Sequence, residues 1–236
     1  MMLSATAEKA LDAYGGESLW KSAKKIEAEV STTGLLFAMK MRPVFDHVKI
    51  EMLVPEPISK ISRIGKENNI CGVLHGQDVQ LEDANGNILE ERKNARNYFP
   101  FGRRLFRWDD LDMSYFANYA FWNYFTFPRL LLRKDILWTE IQPGILDAEF
   151  PENFPTHSKR QRFFFDSKTG LLTQHNYNAD IITSLATAAN VVKSHQNFHG
   201  INLPAHRTVT PRKKNGEARN SPTLVEIIVH DLKITS

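Results

Sequence analysis

An imidazole between hydroxyls, a histidine–tyrosine pair and a carboxylate among aromatic rings are parts from which acid–base chemistry is built, and this chain carries all of them. His157 stands between Thr156 and Ser158 in "FPTHSKRQRF", ahead of a strand bearing Arg160 and Arg162. There it is either a general base or a hydrogen-bonded structural residue. His175 and Tyr177 in "QHNY" lie two residues apart, so on a strand they share one face with Thr173. Turned inward, the pair offers a proton donor or acceptor beside an aromatic wall; turned outward, it is an ordinary outer-face pair. Asp112 belongs to "WDDLDMSYFANYAFWNYFTFP" (residues 108–128) and falls at the edge of an aromatic helical face, near Phe116 and Asn123. A carboxylate so placed needs a partner or takes up a proton. The arginines of "FGRRLFR" can make it a structural ion pair, and otherwise it is a ligand-facing acid. Asp109 and Asp110 need less explanation, since carboxylates in a first turn favour the positive end of the helix dipole.

Other chemistries find no support. His195 and His199 have the i, i+4 spacing of two helical metal ligands, but no HExxH surrounds them and Gly200 follows at once. "GVLHGQ" lacks the spacing and setting of a phosphate loop and reads as a tight turn. Ser158 has no G-x-S-x-G elbow, and Cys71, the single cysteine, has no evident local base. Neither a metal nor a cofactor is expected.

The elements that must position these groups are mostly strands. Ala7, Ala10, Leu11 and Tyr14 recur at helical spacing until Gly15 and Gly16, so a short helix opens the chain. In "KIEAEVSTTGLLFAMKM" the residues Ile26, Ala28 and Val30 alternate with Glu27, Glu29 and Ser31, and "HVKIEMLV" repeats the pattern with Val48, Ile50 and Met52. Further short runs follow, with an Asn85–Gly86 turn before "ILEERK". Tight turns between successive strands predict an antiparallel meander. The aromatic segment interrupts it over residues 108–126, and strands resume from "DILWTEIQ" to "TLVEIIVHDLKI". On a helical wheel Trp108, Leu111, Tyr115, Tyr119 and Trp122 share one face, while Ala117, Phe121 and Tyr124 make the opposite side scarcely polar. A helix apolar nearly all round is buried on more than one side, and Pro128 ends it. The expected fold is therefore α+β: a single curved antiparallel sheet enclosing a central aromatic helix, with a short N-terminal helix, all in one domain over residues 1–236.

Composition narrows the function classes. The 236 residues are 42% hydrophobic and 24% charged, enough for a sizeable core, and the net charge is +3. That balance is too mild for a nucleic-acid partner. The densest basic run, "TPRKKNGEAR", contains Pro and Asn-Gly and reads as a solvated hairpin tip. The uncharged run from Met113 to Pro128 is short for a bilayer span, so no stable membrane insertion is expected. The opening residues carry Glu8, Lys9 and Asp12 without an apolar core, which predicts a cytoplasmic location.

With "WDDLDMSYFANYAFWNY", "FPTHSKRQRFFFDSKTGLLTQHNY" and "AYGGESLW" in view, the chain resembles a family of uncharacterised bacterial proteins. That family often carries an acidic residue where this chain has Asn176. Its order of elements is similar to the half-barrel of the lipoprotein carriers of the LolA/LolB type, which implies an apolar concavity for acyl chains. Two functions follow as expectations. The first is binding of an elongated hydrophobic small molecule or lipid, contacted by Trp108, Asp112, Tyr115, Tyr119, Trp122, Asn123, His157, His175 and Tyr177. The second is a cofactor-independent isomerase, cyclase or hydrolase using Asp112, His157 and His175 in the same pocket. An interaction module would instead fill the cavity and display its aromatics outside.

Overall fold

The computed structural model describes residues 3–65, 69–183 and 185–236. Ser4 accepts the Ala7 amide at 3.4 Å and so caps α1 (Ala5–Ala13), whose Ala7, Ala10 and Leu11 turn inward as their spacing requires. Gly15, at φ 95°, turns the chain into a second helix, α2 (Gly16–Ser22), which buries Trp20. So brief a helix leaves little periodicity to read.

The first group of strands is β1 (Lys25–Thr33), β2 (Phe45–Leu53), β3 (Ile58–Ile61), β4 (Cys71–His75), β5 (Asp78–Glu82) and β6 (Ile88–Arg92). "LLFAM", part of the tract expected to be extended, instead forms the one-turn helix α3 (Leu35–Met39), because burying Leu36 and Phe37 together needs both on one side. The aromatic segment is α4 (Asp110–Phe125), followed by α5 (Phe127–Leu130). Pro128 lies in the first turn of α5, where a missing N–H costs nothing, so it redirects the chain just past the end of α4. The second group is β7 (Leu137–Gln142), β8 (Ile145–Glu149), β9 (Arg160–Phe165), β10 (Leu172–Asn178), β11 (Thr187–Phe198), β12 (Ile201–Pro211) and β13 (Val225–Thr235).

All of these strands join one antiparallel sheet in the order β6-β5-β4-β3-β2-β1-β13-β12-β11-β10-β9-β8-β7. The first and last strands meet in its middle, with Ala28 opposite Leu232. From that seam one meander runs out to β6 and the other to β7. The edge strands β6 and β7 are joined by the segment containing α4, which must therefore cross the open face. Register shifts in β1 and in β11 add local twist, and the sheet curves into a half-barrel. Every residue of α4 from Leu111 to Phe125 is buried, which its nearly all-round apolar character demanded.

Candidate functional site

Asp109 and Asp112 close the N-terminus of α4 as a reciprocal capping box, each carboxylate accepting the other's backbone N–H. Asp112 is wholly buried. It accepts hydrogen bonds from Arg92 Nη1 at 2.6 Å, Arg104 Nε at 2.6 Å and Arg103 Nη1 at 3.0 Å. Burial opposes ionisation of Asp109, but Arg92, the Asp112 amide and Arg103 outweigh it and hold its carboxyl below the usual range. The acidic run thus anchors the helix to the edge strand β6 and to the arginines of "FGRRLFR". Asp112 is consumed there and does not reach the cavity described below. Asp110 is half-buried and paired with Arg42 rather than open to solvent.

One side of α4 packs on β3, β4 and β5 through its polar groups as well as its rings. Ser59 Oγ donates to Asn118 Oδ1 at 2.7 Å, Asn118 Nδ2 donates to Gly72 O at 3.1 Å, and Tyr115 OH donates to Gln77 Oε1 at 3.1 Å. Trp122 Nε1 donates to Leu53 O at 2.6 Å. A side chain at Gly72 would run into Ser114, so the helix rests directly on the strand there. Trp108 is likewise buried and donates to Arg104 O. The face carrying Trp108, Tyr115, Tyr119 and Trp122, expected to line a pocket, is therefore packed core. Its large rings have partners within the protein, although Trp108 also borders a polar pocket formed with Arg42, Arg103, Arg107, Asp109 and Asp110.

The space lies on the other side. Met113, Phe116, Ala117, Ala120, Phe121 and Tyr124 follow helical spacing and face the sheet around β1, β13, β12 and β11 across a cavity of ≈ 280 Å³. Ala117 and Ala120 stop short of the opposite wall, where larger residues would meet it. That wall includes Val209 and Ile227 from β12 and β13. Leu185 and Met39 also line the cavity and are 84% and 51% exposed, which marks its mouth.

A polar network forms the deep side of this cavity. His157 is stacked flat on Tyr177 at 3.8 Å between ring centres, and both line the cavity. Its Nε2 bonds Tyr124 OH at 2.7 Å and its Nδ1 meets Tyr119 OH at 3.2 Å, while Tyr124 OH and Tyr177 OH lie 2.8 Å apart. The loop carrying His157 is fixed from three directions. Arg96 Nη1 donates to Thr156 O, Asn123 Nδ2 donates to Pro155 O, and Gln161 Nε2 donates to Thr156 Oγ1 and Ser158 O. Burial, with a smaller contribution from Arg96, pushes the His157 imidazole down to about 3, so it is neutral at pH 7. His175 is depressed well below its ordinary value, first by burial and then by His157 and Arg207. Its Nε2 meets Gln161 Oε1 at 2.6 Å, so His175 is also engaged, one inward-facing step along β10 from Tyr177 and outside the cavity lining. Both residues face inward, but a bulge between Leu172 and Gln174 leaves Thr173 exposed, away from its expected companions.

Of the nine expected ligand contacts, His157 and Tyr177 line the cavity; the other seven support it from behind or lie elsewhere. The basic hairpin "TPRKKNGEAR" does form a turn between β12 and β13, and Gly216 O within it accepts from Asn176 and Gln174, so it also covers the outer face of β10. His195 and His199 lie in and just after β11, not on a helix. His195 bonds Tyr14 OH at 3.1 Å, and among the described residues no cluster could hold a metal. The residues sequence reasoning missed are Arg207 and Asn190, both fully buried on the concave face. A signal for Arg207 was available: Leu203, Ala205, Arg207 and Val209 alternate inward, with a cation in an apolar series.

No protein-family model matches this sequence, and no curated protein is significantly similar to it. Solved structures share its architecture. A DUF1329 family protein from Desulfovibrio piger superposes with a TM-score of 0.52 at 12% identity, over 98% of this chain and 92% of that one. A LolA superfamily protein from Nitrosomonas europaea gives 0.53 at 10% identity, over 100% and 95% of the two chains. An outer membrane lipoprotein-sorting protein domain from Vibrio parahaemolyticus gives 0.50 at 11% identity, over 98% and 91%. At such low identities the likeness establishes a LolA-like fold and nothing finer.

Proposed function

We propose that this protein binds an elongated hydrophobic molecule, a single-chain lipid or comparable amphiphile, between α4 and the concave face of the sheet. The observation that carries this reading is the apolar cavity of ≈ 280 Å³, open at Leu185 and Met39. That volume is near the lower end of small-molecule sites, roughly 300–1,000 Å³, and suits one chain better than two. The LolA-like fold supports it by analogy of shape, since one of the similar structures is described as sorting lipoproteins. The acid–base alternative is less well supported. It requires a carboxylate and an imidazole at one vacant point, whereas Asp112 is held by three arginines and His157 has both ring nitrogens engaged by tyrosines.

Thermal unfolding of delipidated protein with dodecanoate, 1-dodecanol and farnesol tests the proposal. A ligand selective for the native state at a hundredfold excess over Kd stabilises by about 2.7 kcal/mol. For a chain of this size that is a rise of roughly 5–10 °C in Tm. Ala120→Trp, which puts an indole into the cavity, should remove the response while the protein stays folded. No response to any of the three by the wild-type protein, or an undiminished response in Ala120→Trp, would sink the proposal.

A further inference from the structure

Arg207 is 1% exposed, and its Nε and Nη1 have no hydrogen-bond partner. Among the described residues no carboxylate pairs with it. Its electrostatic neighbours are the phenols of Tyr14, Tyr124 and Tyr177, and its guanidinium lies over the Tyr124 ring at 5.2 Å. The imidazoles of His175 and His195 that feel its charge are both depressed, mainly by burial, and add no second positive charge near neutrality. Asn190 is 0% exposed; its side chain faces the Tyr124 hydroxyl but makes no hydrogen bond of normal length and angle. A buried polar group without a partner calls for an explanation, and a buried cation without a counter-ion calls for one more strongly.

Position supplies it. Asn190 is opposite Val209 in the β11–β12 pairing, and Arg207 is opposite Ile227 in the β12–β13 pairing. Val209 and Ile227 both line the cavity, as does Tyr124, over whose ring the guanidinium lies. Arg207 is one inward-facing step beyond Val209 on β12, a distance an arginine side chain spans. Arg207 and Asn190 do not themselves line the cavity; they are the next inward-facing residues beyond Val209 and Ala188, on the side away from Leu185.

We propose that the ligand is an amphiphile with a single anionic oxygen head group, a carboxylate, that enters head first and is received by Arg207 and Asn190, its chain running out through the cavity. This rests on the reading of the cavity as an apolar binding site and names the chemistry of its inner end. A guanidinium fork matches a carboxylate, and the Asn190 amide supplies a further donor. One unpaired positive charge is balanced by one negative charge, which favours a carboxylate over a dianionic phosphate monoester.

Calorimetric titration of delipidated protein with dodecanoate, 1-dodecanol and dodecyl phosphate separates the two readings. Dodecanoate should bind at least tenfold more tightly than the alcohol and more tightly than the phosphate. In Arg207→Met the alcohol should bind as before and the preference for the acid should vanish. Equal affinity of wild-type protein for acid and alcohol overturns the head-group proposal and leaves the apolar site standing, whereas binding of none of the three overturns both. A stronger phosphate than carboxylate replaces the assigned head group, and an acid preference that survives in Arg207→Met removes the role of Arg207. Should that variant not fold, carboxyl-labelled [13C]dodecanoate on wild-type protein decides. The bound carboxyl should stay ionised at pH values where the free acid is protonated, and titration at the free-acid value refutes the proposal.

Discussion

Replacing Arg207 by Met should make the ligand-free protein more stable, although it removes one of the largest fully buried side chains from the interior. Methionine follows the path of the arginine stem and keeps most of its apolar contact, so little packing is lost. The attraction of the guanidinium to the Tyr124 ring, at 5.2 Å, is lost, which costs about 2 kcal/mol for a desolvated pair. Against this, Nε and Nη1 are buried without partners, and each such group costs about 1–3 kcal/mol. Desolvation of the charge itself adds several kcal/mol more, and apolar replacements of buried ionic groups are often stabilising by about 1–4 kcal/mol. A net gain of about 2 kcal/mol is the expectation, or roughly 4–8 °C in Tm for a protein of this length. Urea unfolding of delipidated wild-type and variant proteins should show a higher midpoint at unchanged slope. Saturating dodecanoate should then narrow the difference by at least about 1.4 kcal/mol, because only the wild type gains the charge pair. A loss of more than about 2 kcal/mol in the ligand-free variant would refute the reasoning, since it would mean that the guanidinium already has a strong partner.

Asp112→Ala should destabilise by about 3 kcal/mol, because it leaves the 14% exposed Arg104 without a carboxylate while Arg92 and Arg103 retain Asp109. Asp110→Ala removes only the half-buried pair with Arg42 and should cost about 1 kcal/mol, so equal losses in denaturant titrations would contradict the assignment. Ala120→Trp should raise the Tm of ligand-free protein by filling the cavity, and a fall would show that the space there is too narrow for an indole. His157 is depressed to about 3 when folded and has an ordinary value of 6.5, so it is neutral in both states above that value. As pH falls below 6.5 the unfolded chain takes up a proton that the native protein refuses, and stability is lost progressively down to about 3, by about 4 kcal/mol in all. His157→Gln should make that slope shallower, with the also depressed His175 and His195 supplying the remainder, and an unchanged slope would show that His157 does not contribute.

The strands were legible where one face meets the core and the other meets water. Val48, Ile50 and Met52 turned inward against Lys49 and Glu51, and Asn85–Gly86 made its turn, because these choices are local. The pairing of β1 with β13 is not local, and no short-range pattern announces that the ends of the sheet meet at its centre. For α4, the wheel showed burial all round but could not say which side bounds open space. The most aromatic face drew attention, yet the hydroxyl of Tyr115 and the indole N–H of Trp122 reach Gln77 and Leu53, as groups in a packed interface do. The informative residues were the small ones. Ala117 and Ala120 on the opposite face are where side chains withdraw, and they bound the cavity. Asp112 was legible as a paired acid because burial demanded a partner and "FGRRLFR" lay close in sequence. The network around His157 was not, since Tyr119, Tyr124 and Tyr177 reach it from two separate elements.

The cavity and the unpaired arginine are each unfavourable to the ligand-free fold, and the arginine lies one inward-facing step beyond the residues that line the cavity. Lost packing around a sealed cavity costs about 24 cal/mol per Å³, so a space of ≈ 280 Å³ is a defect of several kcal/mol unless water or a ligand enters it. A neutral chain would relieve that defect and leave Arg207 as it is. A small anion would relieve Arg207 and leave the cavity as it is. Neither Ala120 nor Arg207 is held in place by a packing requirement, since a larger apolar residue at the first and a methionine at the second would both suit the ligand-free core better. An amphiphile with a carboxylate at one end removes both defects at once, and the distance between them sets its orientation. The neutral His157 and its tyrosines then serve as a rigid, uncharged wall along the chain, satisfied among themselves and adding no charge that would compete with Arg207 for the head group.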